Sequence, residues 1–108
     1  MNPAYFRKMA HGDLPGLKEL AFDYFNDTRR LMTGWVSMLD AGQFGTLREE
    51  LHRCKGGASL FGLERLVALI GASESATVLE TQGLDLNRFE KELSDAEAAV
   101  IELAEPTV

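Results

Sequence analysis

The stretch Leu51-His52-Arg53-Cys54-Lys55-Gly56-Gly57-Ala58-Ser59-Leu60-Phe61-Gly62 decides how the rest of the chain is read. Wound as an α-helix, it makes neighbours of residues three and four apart. Leu51, Cys54, Ala58 and Phe61 then share one face, joined one turn earlier by Leu47. The opposite face carries Arg48, His52, Lys55, Gly56 and Ser59. Its glycines are the anomaly. Two adjacent glycines inside a helix cost roughly 1 kcal/mol each relative to alanine. A segment that keeps its hydrophobic period and still accepts that cost breaks a local rule, and such breaks concentrate at functional sites. The helix is therefore expected to present His52, place a cation at i+3 and clear side chains away at i+4.

Upstream, Tyr5, Phe6 and Met9 suit a short amphipathic turn or helix over residues 1–13 that caps a larger body. His11 falls in the loop that follows and is expected to be solvated. Asp13 is an N-cap candidate, with Pro15 in the first turn, where its missing N–H does no harm. A long helix is predicted from Leu14 to Asp40. Leu17, Ala21, Tyr24, Thr28, Leu31, Trp35 and Met38 recur at spacings of four and three, widened by Phe22, Phe25, Met32 and Leu39 into the apolar face of a bundle helix. Ala41-Gly42 end it.

After Gln43-Phe44-Gly45, Thr46 can cap the histidine helix with Glu49 as a capping box, and Gly62 closes that helix. A third helix is predicted from Leu63 to Thr81, with Leu66, Leu69, Ile70, Ser73 and Thr77 on one side, stopping at Gly83. Asp85 or Asn87 caps the last, whose apolar positions are Phe89, Leu93, Ala96, Val100 and Leu103, with Pro106 past its end. No stretch alternates as a strand does. Four amphipathic helices joined by short connections predict an all-α fold, an up-down antiparallel four-helix bundle with a short extra N-terminal helix.

At 108 residues, with 45% hydrophobic and 26% charged residues, the chain suits one globular domain. A net charge of −6 lacks the basic field that nucleic acid or an anionic membrane surface demands. The one cysteine, Cys54, lies on the apolar face and is expected as a buried thiol. Neither a signal peptide nor a membrane-length apolar run is legible, so a cytoplasmic location is expected. A metal site at His52 is not expected: His11 is distant, Cys54 faces the other way, and no ligand stands at i+4.

The pattern His-x-x-Lys-Gly, with small residues after it and a glycine ten positions beyond the histidine, is carried here by His52, Lys55, Gly56 and Gly62. It resembles the histidine-containing phosphotransfer (HPt) domain. The run Lys55-Gly56-Gly57-Ala58 with Phe61-Gly62 is most similar to the phosphotransfer domain of chemotaxis histidine kinases. The resemblance implies that His52 accepts a phosphoryl group from a receiver aspartate or a histidine kinase and passes it to a response-regulator aspartate. It further implies that Lys55 reaches the phosphoryl oxygens, with Arg48 one turn earlier.

Members of that family commonly place a polar residue twenty-two positions after the histidine, against the imidazole; here it is Glu74. Receiver access and docking are expected to involve Arg48, Gly56 and Ser59, together with Phe6, Met9 and Leu14. Implied partners are receiver domains and a sensor histidine kinase of a two-component system. The chain has no cofactor of its own in this reading; magnesium belongs to the receiver. No glycine loop for nucleotide is present, so the protein is expected to be a monomeric carrier and not an enzyme. Met1 and the ending soon after Pro106 lead us to expect a complete small protein. The alternatives are a non-catalytic receiver-binding adaptor and an excised piece of a hybrid or chemotaxis kinase.

Overall fold

The computed structural model describes residues 1–103. Within them the chain forms α1 (Pro3–Ala10), α2 (Leu14–Asp40), α3 (Phe44–Leu60), α4 (Glu64–Ser73), α5 (Ala76–Gln82) and α6 (Leu86–Glu102), and no strand. Pro106 lies outside the described residues. Helix α2 packs against α3 and α6, and α4 closes the square by packing against the same two. The expected antiparallel bundle is therefore present, about 53 × 20 × 19 Å. Trp35, Phe25, Leu47, Leu51, Leu66, Ile70, Phe89, Leu93 and Val100 fill its centre.

The helix ends follow from local chemistry. Asp13 accepts a hydrogen bond from the Gly16 N–H at 3.0 Å, and Asp85 accepts one from Arg88 N–H at 3.1 Å. Helix α3 closes in a Schellman arrangement. Leu63 N–H reaches the Ala58 carbonyl at 2.9 Å, and Gly62, with φ +70°, takes the left-handed position.

Three expectations are corrected. Helix α3 begins at Phe44 and not after Thr46, and neither Thr46 nor Glu49 forms the capping box; Gln43 is the N-cap and makes no side-chain bond. Phe44 packs against the core, and that burial draws the helix start ahead of the residues with capping chemistry. Leu31 is 41% exposed. The buried line of α2 runs through Leu14, Ala21, Thr28 and Trp35 with Phe25, and Leu31 lies ~60° round the helix from Thr28.

The third correction is that the helix predicted over 63–81 is two helices. Glu74 ends α4 with helical dihedrals, and Ser75 is extended at φ −73°, ψ 132°. The cause is a slip in the apolar period. Leu66 and Ile70 face the core, but the next large apolar side chain to be buried is Leu79, nine residues past Ile70 and so on the far side of a continuous helix. The break at Ser75 turns Leu79 inward and leaves Thr77 exposed.

Helix α1 folds over one end of the bundle. Phe6 is fully buried and its ring centroid is 6.4 Å from that of Phe61.

Candidate functional site

His52 stands on the exposed face of α3, its side chain 73% accessible. Side chains on a helix lean toward its N-terminus, so the spot occupied by a residue is overhung by the residue about one turn further on. For His52 that residue is Gly56, where a Cβ would meet nothing within 4 Å. The space beside the imidazole is open because Gly56 has no side chain.

The second glycine has a different cause. A Cβ on Gly57 would lie 2.5 Å from Cε2 of Tyr24. Tyr24, on α2, lies across α3 there and donates its hydroxyl to the Cys54 carbonyl at 2.6 Å. Burial pushes its phenol well above the ordinary tyrosine range. Gly57 thus seats α2 against α3, a contact that helical spacing within α3 alone could not reveal. Burial likewise raises the thiol of Cys54 beneath, leaving it protonated near neutral pH.

Glu74 ends α4 with helical dihedrals, and the packing of α4 on α3 places it beside His52. Its Oε2 lies 3.4 Å from Nδ1 of His52, and its Oε1 pairs with the Lys55 ammonium. Lys55, and then His52, hold the Glu74 carboxyl below the usual carboxylate range, against the opposing effect of burial. An ionised carboxylate only accepts hydrogen bonds. A hydrogen bond between the two needs the proton on Nδ1, the tautomer in which Nε2 of a neutral ring keeps its lone pair.

Arg48, Glu49, Gly45 and Arg53 line an open hollow of about 760 Å³ with His52 and Glu74. Gly45 and Glu49 were not expected at the site from the sequence, though they recur at i−7 and i−3 from His52 on one helix face. Ser59 is exposed on the same face but outside the hollow. Phe6 and Leu14 are not on a docking surface: both are buried, because α1 turns its apolar side onto the bundle end. Met9 is half-buried. Exposed large apolar side chains on α3 and α2 are instead Leu60, 52% exposed, and Leu20 and Leu31, 60% and 41% exposed. Leu60 continues the line of His52 and Gly56 at i+4, and Leu20 and Leu31 share Tyr24's side of α2 at i−4 and i+7. Among the described residues no cluster of His, Cys, Asp and Glu has the makings of a metal site, and no helix is long and apolar enough to cross a membrane.

The site thus holds an exposed histidine on one helix with a carboxylate of the next helix 3.4 Å from its Nδ1. The family model of the Hpt domain matches residues 5–104, and the chain belongs to that family. Its role is phosphotransfer in two-component signalling. No curated protein and no solved structure matches the chain.

Proposed function

We propose that this chain is a phosphocarrier in a phosphorelay, and that His52 is the residue that carries the group. It takes the phosphoryl from a receiver aspartate, or from a sensor histidine kinase, and hands it to the aspartate of a response regulator. The observation that supports this best is the contact between Glu74 and Nδ1 of His52 on an otherwise open face. With Nδ1–H donated to Glu74, Nε2 attacks phosphorus of an aspartyl phosphate. The Nε2–P bond forms as the acyl O–P bond breaks, and the aspartate leaves as carboxylate with the bonding electron pair. The ring keeps its Nδ1 proton and gains the positive charge, which Glu74 offsets. Transfer of this kind depends on in-line positioning and charge compensation. Magnesium, in this proposal, sits on the receiver, and the carrier needs no cofactor of its own.

The receiver docks over Gly56 and Leu60, with Leu20 and Leu31 on the α2 side of the seam. It works as a monomer in the cytoplasm, with residues 1–108 acting as one unit. The test is incubation with phosphorylated receivers, reading an acid-labile, base-stable label on this chain. His52→Gln is expected to abolish the label and leave helicity and the melting temperature near those of the wild type. Label persisting in that variant, for example on His11, would overturn the assignment. Leu60→Asp is expected to weaken receiver binding at unchanged stability.

A further inference from the structure

Arg29, Arg30, Lys55, Arg65 and Lys91 each pair with a carboxylate of their own chain. Arg48 and Arg53 do not. Both are exposed, both line the hollow beside His52, and among the described residues neither makes an ion pair or a side-chain hydrogen bond. With Lys55 they set three cations against Glu49 and Glu74 around the histidine, a local positive excess in a chain of net charge −6. We propose that Arg48 and Arg53 select the partner. They draw in a receiver whose surface around the phosphorylated aspartate is acidic, and they hold off one whose surface there is basic. This selection rests on the phosphocarrier reading above.

Placement on α3 puts the two arginines on either side of the histidine. Around the helix axis Arg48 lies about 40° to one side of His52 and Arg53 about 100° to the other. Arg48 is seven residues before Lys55 and so on the α4 side of the face. Arg53 is seven residues before Leu60 and shares its line, within the face over which the receiver docks. A guanidinium keeps its charge at any physiological pH and is weakly hydrated, which suits it to ion pairs across an interface.

The surplus acid lies elsewhere. Glu19 and Asp23 are exposed on α2, opposite the buried line of that helix. A basic protein is drawn toward such acid and away from His52, whereas an acidic one is drawn to the His52 face. Charges of this kind act on encounter and on the choice of partner more than on the strength of the final complex.

The experiment mixes the full chain with receivers phosphorylated in advance, some with an acidic and some with a basic surface around the aspartate. The second-order rate of transfer is read in single turnover at about 0.01 M and about 1 M salt, where charges reach ~30 Å and ~3 Å. With acidic-faced receivers the wild-type rate is expected to fall about tenfold or more between the two. The double variant Arg48→Glu, Arg53→Glu is expected to lose about tenfold at low salt and little at high salt, through a raised half-saturating receiver concentration. Arg53→Glu alone follows the same pattern at smaller size. With basic-faced receivers the sign reverses. The double variant is expected to outpace the wild type at low salt, a gain that a damaged fold cannot give.

A double variant slower with both kinds of receiver overturns the proposal. So does a loss that persists undiminished at high salt, which would place the arginines in the reaction and not in selection. Wild-type protein that takes label from no receiver sinks the phosphocarrier reading and the selection together. Labelled wild type indifferent to salt and to receiver charge sinks the selection alone.

Discussion

Residues that look alike in the sequence do different work at the site, and the clearest case is the glycine pair. Gly56 faces open space and Gly57 faces the Tyr24 ring. Gly56→Ala therefore gains helix propensity without a clash and is expected to stabilise by roughly 0.5–1 kcal/mol. Gly57→Ala gains the same propensity but drives a methyl group into a half-buried ring that is anchored by its hydroxyl. Overpacking of that sort costs about 1–3 kcal/mol, so the net change is destabilising. Urea denaturation of the two variants checks it, and equal signs would contradict the packing role of Tyr24.

Glu74 gives a second test at this scale. Its folded pKa lies below the ordinary value of 4.5, chiefly because of Lys55. The associated stability is present above pH 4.5 and is lost as pH falls through the depressed folded value. In Lys55→Met the Glu74 carboxyl is expected to titrate closer to 4.5, read by ¹³C NMR. An unmoved titration would mean that the ion pair is not the cause.

Among the elements, α5 is the least committed. Leu79 is its one buried residue, and α5 packs on α3 after the helix break at Ser75. Leu79→Ala is expected to release the amides of residues 76–82 to hydrogen exchange while α4 and α6 keep their protection. Local opening of this kind belongs to segments with few buried apolar contacts. Because Glu74 ends α4 and precedes the break, it should keep its place beside His52, and phosphotransfer should survive. Exchange rising equally in α4 would show that α4 and α5 behave as one helix after all.

For the whole molecule, α1 is part of the core. Phe6 is fully buried against Phe61, so Phe6→Ala is expected to cost about 3–5 kcal/mol, measured by denaturant unfolding. A docking residue would behave oppositely, keeping stability and losing receiver affinity. The long axis is held by contacts between distant parts of the chain. Arg29 of α2 bonds Glu90 and Glu97 of α6, each at 3.0 Å, and Trp35 donates its indole N–H to Glu50 of α3 at 2.8 Å. On the α4–α6 edge, Arg65 meets the buried Glu92 at 3.1 Å. These pairs join helices that the apolar core already packs together.

The sequence by itself determined the helical class, the extent of α2, the cap at Asp13, the terminators Gly42 and Gly62, and the face on which His52 stands, and it narrowed the last cap to Asp85 or Asn87. Each of these is a property of residues within a few positions of one another, where 3.6-residue periodicity and capping chemistry act directly. Tertiary structure alone decided the rest. Phe44 outweighed Thr46 because burial of an aromatic side chain exceeds the worth of one cap. The helix broke at Ser75 because the core on the far side needed Leu79. Phe6 and Leu14 went inward because α1 had a bundle end to cover, and Gly57 was required because Tyr24, thirty-three residues earlier, crosses it. Lys55 was drawn to Glu74 because a carboxylate on another helix competes for its charge at a distance that spacing along α3 does not encode.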